Sequence, residues 1–171
     1  METWDAIRSR RDVRSYTNQR IEPADLDRIL EAAWRTPSST NEQRWDFIAC
    51  TERERLIELA QVWQFGGHVA TSAATIALVV PDASDPHTDE SIRFDLGQAA
   101  MSIMLAAADL GIGSGHSAVG DQDLAQRILG YPDARICASL IPLGYPADRP
   151  LRPIRNPNRR PFDEVVHRER W

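Results

Sequence analysis

Apolar residues recur along the chain with two periods, and the switches between them mark out the elements. Leu26, Ile29, Leu30 and Ala33 lie at helical spacing in "IEPADLDRILEAAWR" and predict an amphipathic helix. Pro23 suits its first turn, and Asp25 and Asp27 suit the positive end of the helix dipole. A shorter helix is expected in "TWDAIRSR". "TPSSTNEQR" breaks the period and reads as a polar loop. "WDFIACT" reads as a strand, after which Thr51 and Glu54 carry a capping-box signature for a helix over 52–61.

"QFGGHV" is loop-like, "ATIALVV" is a buried strand and "PDASDPHTDE" a surface loop. Residues 91–110 predict the longest helix, with Leu96, Ala99, Ala100, Ile103, Met104 and Ala107 as its buried stripe and Gly111 as its stop. Its run of alanines allows close helix packing, inside the chain or against a second subunit. "IGSGHSAV" is partly extended, Asp121 caps a short helix that ends at Gly130, and "RICASLIPLGYP" is a further buried strand. Residues 148–171 form an arm rich in proline and arginine. It has little core of its own, so it is expected to lie along another surface, a partner subunit being the natural candidate. Helices come first and strands with interspersed helices follow. That order predicts an α+β domain with a central mixed sheet rather than a regular βαβ series.

At 171 residues the chain is expected to be one domain, 1–171, able to bury a core without disulfides or structural metal. No apolar run approaches the roughly 20 residues of a membrane span. "METWDAIRSR" lacks a signal-like apolar stretch. A cytoplasmic protein without membrane attachment is expected. Cys50 and Cys137 sit in strand-like runs and read as buried, reduced thiols.

The distribution of charge says more than its sum of −5. Residues 1–20 carry five Arg against three acids and 149–171 seven against three, while 21–148 carry eight against nineteen. Every basic residue is Arg. Basic ends around an acidic body do not form the continuous basic face of a nucleic-acid binder. The ends are either simply solvated or converge on a small anion.

Familiar catalytic motifs fail on context. "GIGSG" follows a helix, not a strand, and lacks the G-x-G-x-x-G spacing of a dinucleotide fingerprint, so it reads as a helix stop and a close-packed turn. There is no G-x-S-x-G, and His68, His87, His116 and His167 show no H-x-x-x-H pairing; no metal site is expected. What remains is "RRDVRSY", with Arg10, Arg11 and Arg14 inside five residues, a second arginine cluster near the C-terminus, and the hydroxyl- and amide-rich "PSSTNEQRW". Guanidinium forks suit phosphate, and hydroxyls and amides suit a polyol or the edge of a heteroaromatic ring. Flavin mononucleotide (FMN) has all three parts.

Over essentially its whole length the chain resembles the nitroreductase family of FMN-dependent oxidoreductases. "RRDVRSYTNQRIEPADLDRILEAAWRTPSSTNEQRWDFIAC" is similar to that family's opening, R-R-S-x-R-x-[FY] followed by a helix ending in A-P-S-x-x-N-x-Q-P-W-x-F. "DLGQAAMSIMLAAADLGIGSG" resembles its long dimerisation helix and "RRPFDEVVH" its closing phosphate-side arm. The resemblance implies a three-layer α+β fold in an obligate homodimer, with domain-swapped C-terminal arms and FMN at the interface. It implies that Arg10 and Arg11 lie by the phosphate, with Asp12 at a cofactor-binding position where it would cap backbone amides or pair with an arginine, Arg14 by the pyrimidine edge, and Ser38, Ser39 and Asn41 on the same cofactor from the second subunit. Ser117, Ala118 and Val119 would offer backbone groups to the ring, Gln64 and His116 would flank it, and Arg159 and Arg160 would return to the phosphate. The implied reaction passes electrons from NADH or NADPH through flavin N5 to a nitroaromatic or quinone, with no side-chain nucleophile. A flavin-dependent dehydrogenase or oxidase of a biosynthetic intermediate, or a flavin-binding protein without turnover, is the alternative.

Two positions depart from the family pattern. Asp12 stands where Ser is commoner, and Arg44 where Pro precedes the Trp. Segment 81–90 is too short for the substrate-covering helical excursion of some branches, which implies a more open pocket.

Overall fold

The computed structural model describes all of residues 1–171. Four strands form one sheet in the order β1-β2-β4-β3, comprising β1 (Asp46–Cys50), β2 (Ala74–Pro81), β3 (Gly113–Ser114) and β4 (Arg135–Gly144). Helices cover both faces: α1 (Thr3–Ser9), α2 (Pro23–Trp34) and α4 (Pro86–Asp109) on one, α3 (Arg53–Leu59) and α5 (Gln122–Leu129) on the other. The expected three layers are present. The sheet is not mixed, however: every strand pair is antiparallel, and the one parallel contact is the isolated bridge between Asp12 and Ser114. β2 and β3 both pair with β4 in the opposite sense, so they run parallel to each other, and α4 carries the chain between them across β4.

Residue alternation along β2 builds both cores. Ala74, Ile76 and Leu78 face α2 and α4 beside Ile29, Ala33, Ile103, Met104 and Ala107, while Ala77 and Val79 face α3 and α5 beside Leu56, Leu59 and Ala125. A bulge opposite Leu78 and Val79 shifts the register of β4. Cys137 and Leu140, three residues apart, therefore share one face. Both cysteines are free and buried; burial pushes the Cys137 thiol up to about 12.

Two boundaries differ from expectation. The N-cap of α3 is Glu52, not Thr51, and no side chain caps it, so the Thr51–Glu54 box does not form. Helix α4 starts at Pro86 rather than at 91, because the Asp85 carboxylate accepts from the Thr88 N–H and Pro86 occupies the first turn. Thr88 holds the Asp85 carboxyl below the usual carboxylate range, so this cap is intact at neutral pH and is lost only as pH falls through that lowered value. At α5 the expectation holds: Asp121 accepts from the Leu124 N–H at 2.8 Å, and Gly130 closes the helix at φ 72°. Asp121→Ala is expected to cost about 1 kcal/mol, or roughly 2–4 °C in the melting midpoint by calorimetry.

From Asp148 onward the chain is extended and almost wholly exposed, apart from a single turn at Phe162–Glu164. Its ties to the body are few: Ile154 N–H to the Arg8 carbonyl, and Arg11 to Asp148 and to the Arg149 carbonyl. No helix is long and apolar enough to cross a membrane.

Candidate functional site

The arginine segment is held in place by glycines. Residues 12–16 run against β3 and the end of β4: Val13 N–H donates to the Ser114 carbonyl at 2.8 Å, and Tyr16 bridges to Pro146. A Cβ on Gly113 would stand 2.7 Å from the Val13 side chain, and one on Gly115 would stand 2.8 Å from the Val13 carbonyl oxygen. Only glycine permits that approach. This is what "GIGSG" does, with Gly111 at φ 74° ending the last turn of α4.

With Val13 and Tyr16 turned inward, Arg14 points outward, while Arg10 and Arg11 lie largely covered. Asp12 is shared between Arg10 at 3.1 Å and Arg14 at 3.2 Å. Arg11 turns away to Asp148 at 2.9 Å and to the Arg149 carbonyl at 2.7 Å. Arg11 holds the Asp148 carboxyl below the usual range, so this tie persists at neutral pH and is lost as pH falls through the lowered value. Three crowded cations are thus kept together by two carboxylates, leaving one net positive charge on the group.

Beside Arg14 lies an open cavity of ≈ 210 Å³ lined by Trp63, Phe65, His68, His116, Ser117 and Ala118. Arg14, His116, Ser117 and Ala118 meet there. Gln64 is not among its lining residues: it lines an adjoining depression with Gln61 and Asp121, and Trp63 borders both. Trp63 is extended, at φ −146° and ψ 134°, so adjacent side chains project to opposite sides and Trp63, not Gln64, reaches the Arg14 cavity. The Ser117 N–H is already committed to the Leu140 carbonyl at 2.9 Å, whereas the N–H groups of Ala118 and Val119 have no partner in the chain.

Trp63, Phe65 and His68 were not singled out from the sequence. Their signal was present: two aromatics and a histidine around Gly66 and Gly67, in a loop joining two core elements, where each would otherwise be buried or spaced along one face. Trp63 Nε1 and His68 Nε2 are buried without a hydrogen-bond partner. Burial and the Arg14 guanidinium keep the His68 imidazole below its usual pKa, so it is neutral at pH 7.

The "PSSTN" loop is anchored elsewhere on α4. Buried Asp95 accepts from the Ser39 N–H and hydroxyl at 3.0 Å, and the Ser38 hydroxyl accepts from the Gln43 N–H at 3.0 Å. Arg10 instead approaches Met104, nine residues further along the same helix. Nine residues span about 14 Å, so within one chain Ser38, Ser39 and Asn41 stand apart from the arginine segment. Arg159 and Arg160 also stay apart: they bond to the Asn158 carbonyl and to Glu164 on the exposed arm.

A larger groove of ≈ 750 Å³ runs between residues 17–23 and the start of α3. Its wall carries both signs of charge and no orphaned polar atom, so nothing in it asks for a ligand. No cluster of His, Cys, Asp and Glu side chains is placed to hold a metal ion.

Comparison with known proteins adds identity to this geometry. The model of the nitroreductase family matches residues 7–66 and 59–145. A protein of Archaeoglobus fulgidus, provisionally named NADH dehydrogenase/NAD(P)H nitroreductase, is 31% identical over 96% of each chain. One of the same name from Methanothermobacter thermautotrophicus is 32% identical over all of this chain and 88% of that protein. The solved structure of an FMN-dependent nitroreductase from Clostridium difficile superposes with a TM-score of 0.83 at 24% identity, covering 97% of this chain and 98% of that one. The matched span takes in the arginine segment, the serine–asparagine loop and the glycine-flanked β3, and the chain belongs to the nitroreductase family.

Proposed function

We propose that the protein is an FMN-dependent oxidoreductase that takes electrons from NADH or NADPH and gives them to an electron-poor acceptor such as a nitroaromatic or quinone. The observation that carries the reading is the donor set of the Arg14 cavity. The residues around this one open space bring a guanidinium, two buried ring nitrogens without a hydrogen-bond partner and the unpaired Ala118 N–H. Such a set is complementary to the acceptor-rich pyrimidine edge of a flavin. Arg10 and Arg11 lie next in sequence for its phosphate.

The single-chain cavity is smaller than the roughly 300–1,000 Å³ of ordinary ligand pockets, which fits a site completed by a second subunit. Phe94 and Met101, two turns apart on α4, are 69% and 46% exposed, and Trp4 on α1 and Trp34 on α2 are exposed on the same side of the sheet. Apolar surface of that extent favours association. In a homodimer Ser38, Ser39 and Asn41 of one subunit would meet the arginines of the other. The arm with Arg159 and Arg160 would cross to its partner. The site of action is the cytoplasm.

FMN, held by Arg14 and its neighbours, would supply the redox chemistry when bound, relaying electrons from the nicotinamide to the acceptor in a ping-pong sequence through its N5. The chain's part is to bind and tune. Arg14 favours negative charge at the ring edge and so raises the reduction potential. Ala118 and Val119 N–H groups hold the ring's acceptor atoms, and Phe65, 71% exposed, offers an aromatic surface at the mouth.

The test is the visible spectrum of the purified protein before and after anaerobic NADH or NADPH. A flavin spectrum bleached by either nicotinamide, with turnover on menadione or nitrofurazone, is the expected result. Tight FMN binding without bleaching would make it a flavin-binding protein, and a colourless protein that stays colourless with added FMN would end the proposal. Because Asp12 competes for Arg10 and Arg14, Asp12→Ser is expected to tighten FMN binding about fivefold by fluorescence quenching. Weaker binding would mean that Asp12 orients the arginines instead.

A further inference from the structure

Two polar atoms in the Arg14 cavity have no partner in the chain. The Trp63 indole N–H and His68 Nε2 are buried and unbonded, and both residues line the space that a ligand would enter. An unsatisfied buried group bears the full cost of its lost hydration, and a ligand atom is its natural partner. The two differ in kind: indole can only donate, whereas imidazole donates or accepts according to its protonation.

The groups that face His68 come from two segments. Arg14 and Asp12 lie on the arginine segment, and His116 follows β3. Burial and Arg14 oppose a proton on His68; the backbone of His116 and of Phe65 favours one, and so does the Asp12 carboxylate, which is already divided between Arg10 and Arg14. The balance rests on the charge of whatever occupies the cavity.

We propose that His68 is a proton-linked binding residue of this cavity, neutral until negative charge arrives beside it and then charged by one proton drawn from solvent. The proposal rests on the flavin reading. Hydride brings two electrons and one proton to the cofactor, adding one negative charge. The balancing proton is taken up by the His68 ring and is released to solvent or to the acceptor when the electrons leave. His68 thereby makes the stability of the reduced form depend on pH, which a fixed cation such as Arg14 cannot do.

The experiment is the midpoint potential of the FMN-loaded protein between about pH 5.5 and about pH 8.5, the range over which histidine titrates. Wild type is expected to take up one proton more per two electrons than His68→Gln in part of that range, an added slope of about 30 mV per pH unit. His68→Lys, with a fixed charge, is expected to lose the added slope as His68→Gln does. In wild type the His68 imidazole resonance, read by NMR, is expected to titrate at higher pH when the cofactor is reduced, with exposed His87, outside the cavity, as internal comparison. Equal slopes in all three proteins, or an unmoved His68 titration, overturn the proposal while leaving the flavin reading intact. Failure of wild type to bind FMN, seen directly in its spectrum, overturns both.

Discussion

Asp95→Ala is expected to lower the melting midpoint by about 6–12 °C. Asp95 is 3% exposed and is the acceptor for both the N–H and the hydroxyl of Ser39. Hydrogen bonds to a charged acceptor contribute about 1.5–3 kcal/mol each, so losing two costs about 3 kcal/mol at the lower end. In a domain of this size each kcal/mol moves the midpoint by roughly 2–4 °C. The loop leaves little slack to absorb the loss. Thr40, Asn41 and Gln43 all have φ between 50° and 58°, in the left-handed region. For a β-branched residue such as Thr40 that conformation is unfavourable and persists only where the surroundings impose it. The same loop presents Ser38, Ser39 and Asn41, so the variant is also expected to bind FMN more weakly than Asp95→Asn, which keeps one acceptor oxygen. Calorimetry and an FMN titration check both points; a midpoint within about 2 °C of wild type would show that the loop holds its shape without Asp95.

Gly115→Ala is expected to cost about 1–3 kcal/mol and to weaken FMN binding about tenfold. The new Cβ meets a backbone atom, the Val13 carbonyl oxygen, at 2.8 Å. That oxygen cannot swing aside. It accepts from the Tyr16 hydroxyl at 2.6 Å, the Val13 side chain is 1% exposed, and its N–H is fixed to Ser114. Relief must come from the segment as a whole, which carries Arg10 to Arg14 with it. Gly67→Ala is the control: its Cβ meets nothing within 4 Å, and stability and binding should stay near wild type. If Gly115→Ala lost stability but bound FMN normally, the segment's position would not govern the site.

Most elements were legible because their signals are local. The periodicity of α2, the Asp121 cap and the Gly130 stop each act within a few residues, and the structure has them as expected. The start of α4 was missed for a local reason as well: Asp85 and Pro86 form a cap and first turn inside a stretch whose polarity reads as loop. The Thr51–Glu54 pattern was misleading because the chain enters α3 one residue later.

The site divides along the same line. The residue types were readable from sequence: arginines for an anion, hydroxyls and an amide for a polyol, glycines for a tight turn. Which of them meet was not, because that depends on distances across the fold. Extended backbone at Trp63 leaves Gln64 outside the Arg14 cavity, and the rise along α4 sets the Ser39 loop and Arg10 apart on one subunit. Asp12 and Asp148 engage the arginines through space as well as through sequence. By itself the sequence determined the elements, the two core faces and the chemistry of the donors, since these follow from side-chain type and spacing. Only the tertiary structure decided that Trp63 and His68 stand unpartnered beside Arg14, because burial and the absence of a partner belong to three-dimensional packing and leave no mark on the order of residues.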